Sequence, residues 1–115
     1  MIHRQDSVKN RNYLRLVEIA SDITGIKKSV IQSRCRMDSV CEARWLIWWW
    51  LRQPQYGNMS MTQIGAISQP MRDHGTVQHG LKVVEARRND PIGGARFQTM
   101  LNLVCERMEE AQCAA

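Results

Sequence analysis

The chain has 115 residues, a length that suits one domain with a single buried core and needs neither disulfides nor a structural metal. Its formal net charge of +5 is uneven: residues 27–88 hold ten basic and four acidic side chains, residues 89–115 two and four. Cys35, Cys41, Cys105 and Cys113 form no CxxC pair, which argues against zinc, and the longest apolar run, 45–51, is far short of the roughly 20 residues that cross a bilayer.

Residues 1–12 are polar and basic without an apolar period, which predicts a flexible arm ahead of a domain over 13–110 and a tail at 111–115. From Tyr13, the residues Leu16, Val17, Ala20 and Ile23 recur at helical spacing, and Gly25 supplies a stop. A short second helix fits Lys28 to about Arg34, with Val30 and Ile31 inward, before the basic link Arg34-Cys35-Arg36. Asp38 or Ser39 is expected to cap a third helix running to about Arg52. One stripe of that helix is Val40, Ala43, Ile47, Trp50 and Leu51, and another is Trp45, Trp48 and Trp49. A helix apolar on nearly every side is normally buried by its neighbours, so it is expected to be the central pillar; tryptophans left exposed would mark a surface for self-association or a protein partner.

Pro54, Gly57 and Asn58 define a loop over 53–59. Ser60-Met61-Thr62-Gln63 matches the capping box S-x-x-Q and opens a short helix with Ile64, Gly65 and Ile67. Ser68, Gln69 and Pro70 end it, and Asp73 offers an N-cap to a longer helix with Val77, Leu81 and Val84 inward. Asp90 before Pro91 repeats a cap-then-proline start, Gly93-Gly94 weakens the first turn, and Phe97, Leu101, Val104 and Met108 keep helical spacing to near the end. No strand-like alternation competes, so the class is all-α, a single compact domain of about six helices.

A short capped helix, a tight turn and a second helix that starts with polar residues is the pattern of a helix-turn-helix, although many helical proteins contain such a corner without touching DNA. Arg72, Asp73, His74, Thr76 and His79 crowd the turn and the first turns of the second helix. Arg pairs with guanine or phosphate, a His N–H donates to guanine, and a Thr methyl packs on the methyl of thymine; Asp73 has capping as its plainer role. The positive middle of the chain suits a phosphate-rich partner, with an ordinary solvated surface as the plain alternative.

The stretch Ile64-Gly65 followed by Arg72-Asp73-His74-Gly75-Thr76-Val77-Gln78-His79 resembles the signature of the C-terminal DNA-binding domain of the bacterial replication initiator DnaA, whose fold is similar to the Trp repressor. Val17 through Gly25-Ile26, the link Ser33-Arg34-Cys35-Arg36, Val40-Cys41-Glu42-Ala43-Arg44 and Asp90-Pro91 follow in that family's order, so the resemblance covers about residues 13–108. It implies sequence-specific binding of double-stranded DNA in replication initiation. Arg36 would enter a minor groove, where a narrow A/T-rich tract concentrates negative potential, while Arg44 and Arg52 hold the phosphate backbone. Asp73, His74, Thr76 and His79 would face the major groove, backbone N–H groups at Met61 and Thr62 would meet phosphate, and Lys82 would add a phosphate contact.

The chain departs from that family at Gly75, where Ser or Thr is usual, at Trp45, where Gln is frequent, and in the turn from Ala66 to Met71, which is longer than the usual form. It contains no G-x-x-x-x-G-K-[ST] loop, so neither a nucleotide site nor a cofactor is expected, and the chain reads as a stand-alone binder, from a phage or mobile element, or as a fragment. With no signal peptide, a cytoplasmic, nucleoid-associated bacterial protein with reduced thiols is expected. Two other readings compete. An enzyme built on His74 or His79 lacks a third ligand or partner at suggestive spacing, so no catalytic residue is assigned. A helical protein-interaction adaptor derived from a DNA-binding domain would use Trp45, Trp48 and Trp49 as its contact patch.

Overall fold

Every helix of this chain carries an apolar stripe that it cannot bury alone, and the third helix supplies the surface on which the others close. The computed structural model describes residues 4–113 as all-α: α1 (Arg4–Thr24), α2 (Lys28–Ile31), α3 (Asp38–Arg52), α4 (Met61–Ile67), α5 (His74–Arg88) and α6 (Gly94–Cys113). α3 packs against all five of the other helices, so it is the pillar its composition predicts. Trp45, Trp48, Trp49 and Trp50 are all buried, with Ala43, Leu46 and Leu51 wholly enclosed beside them. Each fully buried large aliphatic or aromatic side chain here contributes roughly 1.5–3 kcal/mol.

α1 starts at Arg4, so the stretch expected to be a flexible arm up to Asn12 is helical from that residue; residues 1–3 lie outside the described residues. The reason is cooperative. Tyr13, Leu16, Val17 and Ala20 are fixed in the core, no glycine or proline lies between Arg4 and Asn12, and lengthening a formed helix adds a backbone bond per residue without a new nucleus. Gly25 ends α1 at φ +76°, the left-handed conformation expected of a helix stop.

α2 stops at Ile31, short of the expected Arg34, and residues 32–37 form an irregular link whose Ser33 and Cys35 carbonyls accept from a side chain of α3. Asp38 is the first residue of α3 rather than its cap; Met37 holds the cap position with extended backbone and no side-chain bond. α6 begins at Gly94, later than the Asp90-Pro91 signal, because Asp90 organises a turn first. Its Oδ1 accepts from Ile92 N at 3.0 Å and its carbonyl from Gly94 N at 2.9 Å. Phe97, Leu101, Val104 and Met108 then face inward as their spacing predicts. α6 continues through Cys113, so residues 111–113 are helical rather than tail, and Arg15 Nη1 donates to Ala111 O at 3.0 Å to tie the end of α6 to α1.

Candidate functional site

The corner between α4 and α5 is built from locally satisfied backbone. Ser60 Oγ accepts from Gln63 N at 3.1 Å and Gln63 Oε1 accepts from Ser60 N at 3.0 Å, the reciprocal capping box read from the sequence. After Ile67 the chain turns through a cis Gln69–Pro70 peptide. Other elements fasten this turn: Trp48 Nε1 donates to Ser68 Oγ at 3.1 Å, Gln69 N to the Tyr13 hydroxyl at 2.9 Å, and Arg72 N to Gly65 O at 2.9 Å. A Cβ at Gly65 would collide with the carbonyl of Arg72, so the corner requires glycine there. Asp73 Oδ1 then caps α5 by accepting from Thr76 N at 2.7 Å. Hydrogen bonds from the Thr76 side chain and backbone hold the Asp73 carboxyl below its usual range.

α5 turns Val77, Gly80 and Val84 into the core. At 3.6 residues per turn, Gly75, Gln78, His79 and Lys82 therefore form the ridge on the opposite side, and all four are exposed. His74 and Thr76 flank that ridge and are exposed as well. Leu81, expected inward with Val77 and Val84, is half-buried at the margin.

On the Thr76 flank lies a cleft of about 290 Å³ between the α2–α3 link and the start of α5, lined by Arg34, Arg36, Arg44, Met71, Arg72, Asp73 and Thr76. Asp73 is the one acid in that lining. Arg72 reaches across to donate from Nη2 to Ser33 O at 2.8 Å, and burial, then the charges of Arg44 and Arg34, lower its pKa. Arg34 and Arg36 are exposed and form no ion pair among the described residues. The cleft is thus a concentration of positive charge.

Arg44 has a different task from the phosphate contact expected of it. It is buried, and its guanidinium donates to the carbonyls of Ile31 at 2.8 Å, Cys35 at 2.6 Å and Ser33 at 2.6 Å, with a longer contact to Val30. Carbonyls shielded from water demand partners, and the part-buried ones of Ser33 and Cys35 lie in a link with no regular structure to supply them. Arg44 therefore shapes the link and so places Arg34 and Arg36.

On the other flank of α5, Arg52, Gln78 and Lys82 line a hollow of about 390 Å³ with Trp49, Met61 and Glu85. Arg52 is exposed and donates from Nη1 to Met59 O at 3.1 Å, while Glu85 pairs with Arg88 at 3.3 Å. Thr62 is exposed in the first turn of α4. Trp45 packs inward instead of offering a surface contact, between Gly80 and the guanidinium of Arg87, whose Cζ lies 5.0 Å from the ring centroid. Arg87 and Arg96 both bond the buried Glu42 carboxylate, which fixes that sandwich in place.

No family model, curated protein or solved structure matches this chain.

Of the sequence-derived site residues, Arg36, Arg72, Asp73 and Thr76 are brought together at the cleft, His74 and His79 lie on the exposed face of α5, and Lys82 and Arg52 share the second hollow. Arg44 lines the same cleft, with its guanidinium committed to the carbonyls of Ile31, Ser33 and Cys35. Sequence reasoning left Arg34, Met71 and Gln78 out of the site. Arg34 stood in the basic link already singled out; Gln78 was findable as the residue three beyond Gly75 on the outward face; an apolar Met71 gave no signal of the 71% exposure it has. With all four tryptophans buried, the exposed patch on which the adaptor reading and a Trp-mediated partner contact rest is absent. Among the described residues no helix is long and apolar enough to cross a membrane, and no cluster of three His, Cys, Asp or Glu side chains is placed to hold a metal.

Proposed function

We propose that this chain binds double-stranded DNA sequence-specifically, with the exposed ridge of α5 along the major groove. One observation carries the reading: the exposed polar ridge of α5, which ends in Lys82, has Arg34, Arg36 and Arg72 around the cleft on one flank and Arg52 beside the hollow on the other. A helix in the groove has phosphate strands on both flanks, and cations there neutralise them. His74, Thr76 and His79 then read base edges, Arg36 reaches the adjoining minor groove, and Thr62 at the start of α4 meets the backbone. By its resemblance to the initiator domain, the preferred site is an initiator-type box.

Selection of bound duplexes from a random library, followed by affinity measured against salt, tests this. The reading expects a recovered consensus and a steep loss of affinity with salt. Recovery of random sequences, or affinity insensitive to salt, overturns it.

A further inference from the structure

A groove of about 580 Å³ runs between the end of α1 and the first turns of α3 and α6, lined by Ile23, Ile26, Glu42, Arg96, Thr99 and Met100 among others, and no residue of α4 or α5 lines it. The DNA-binding reading makes no use of it. Ile23, Ile26 and Met100 are half-buried against the core and give the groove its apolar surface. Its buried charge is Glu42, 7% exposed, whose carboxylate is bonded by Arg87 and, at 3.1 Å, by Arg96 Nη2. Two guanidiniums on one carboxylate leave one positive charge over. Arg96 is exposed, and its other N–H groups have no partner among the described residues. Lys27, exposed beside Ile26, is a further cation without an ion pair among the described residues. The complement of such a surface is an acid carried next to an apolar side chain.

The chain itself presents that combination in the turn ahead of α6. Ile92 is 93% exposed, more than any other large hydrophobic side chain described, so it does not fill the groove of its own molecule. Asp90 is exposed too and forms no ion pair among the described residues; its Oδ1 accepts from Ile92 N at 3.0 Å. With that bond and the fixed φ of Pro91, the tip already has one shape, and docking it costs little further ordering. We infer that the groove receives the Asp90-Pro91-Ile92 turn of a second copy of this chain, Ile92 packing on Ile23, Ile26 and Met100 and the Asp90 carboxylate meeting Arg96. Turn and groove are neighbours, since Ile92 stands two residues ahead of the helix that carries Arg96, Thr99 and Met100. A two-fold axis between them therefore lets each copy's turn enter the other's groove. Two turns and two grooves make a small interface beside the roughly 800 Å² per partner of a standard one, so the dimer is weak and reversible. It leaves the ridge of α5 free and stands independently of what that ridge binds.

Sedimentation equilibrium of the full chain without DNA, from about 10 μM to about 1 mM, tests this, and the native chain is expected to pass from monomer to dimer within that range. Ile92→Lys sets a cation against Arg96, and Thr99→Glu sets an acid against the incoming Asp90; each should weaken association at least about tenfold. Both positions are exposed, so both variants should melt with the native chain. An equal mixture of the two should recover a dimer holding one copy of each, because one contact is then native and the other pairs the introduced lysine with the introduced glutamate. A native chain that stays monomeric throughout overturns the inference and leaves the groove to some other occupant. Association of either variant as tight as that of the native chain overturns it as well. A mixture that stays monomeric, or native association that grows past two copies, overturns the reciprocal pairing.

Discussion

Gly80 lies against the ring of Trp45 so closely that a Cβ on the glycine would stand 2.5 Å from Trp45 Cδ1. This contact sets the depth at which α5 sits on α3, and hence how far the α5 ridge projects. Gly80→Ala is expected to lower stability by about 1–3 kcal/mol despite alanine's better helix propensity, because the core must shift to admit the methyl. Denaturant unfolding measures it. Trp45→Leu should remove most of that cost in the double variant, so the two effects are not additive. An increase in stability on Gly80→Ala alone contradicts the close packing.

Arg44→Met should destabilise the chain by about 3 kcal/mol, since the carbonyls of Ile31 and Cys35 lose this donor together and Ser33 O keeps only Arg72. Arg44→Lys should recover little, because one ammonium cannot reproduce the spread of the guanidinium fork. A variant that unfolds like the native chain would return Arg44 to the list of surface cations.

Arg34→Ala is expected to weaken selected and scrambled duplexes alike and to reduce the salt slope by about one. His74→Ala should instead reduce discrimination between them by about 1–3 kcal/mol with the slope unchanged. Fluorescence anisotropy across a salt series separates the outcomes, and the opposite assignment of the two effects contradicts the proposed docking.

Asp73 is depressed in the folded state relative to its usual 3.8, so the stabilisation from its cap is complete above that value and is lost as pH falls through the lower folded value. Asp73→Asn keeps an acceptor without a titrating proton. The difference in Tm between native chain and variant should be constant from about pH 8 to about pH 5 and shrink below the usual carboxylate pKa. A difference that grows on acidification contradicts the cap.

The sequence carries most of the fold because its punctuation is local. Gly25, the Ser60–Gln63 box and Asp73 act within a few residues of themselves, and each does in space what its type and spacing imply. The stripes of α3, α5 and α6 follow helical period, so their inward residues were also legible. Apart from the starts of α3 and α6, which local turns set, the errors fall where the deciding partner is remote. Polar residues 4–12 become helix because of packing beyond them, and α2 is cut short by a side chain from α3. Nothing in the order of residues distinguishes Arg44, which turns inward, from Arg36 and Arg52, which turn outward. Gly80 reads as a flaw in a helix until Trp45 is seen across from it.

The carbonyl of Ser33 accepts from Arg44 Nη2 at 2.6 Å and from Arg72 Nη2 at 2.8 Å. A single peptide oxygen is therefore the rivet through which the Arg36-bearing link and the base of α5 are joined, and the span between them has little freedom to adjust. On the DNA-binding reading proposed above, the molecule would act as a caliper with a set opening: a duplex would be accepted or refused by the distance between its two points of grip before any individual atom of it is read.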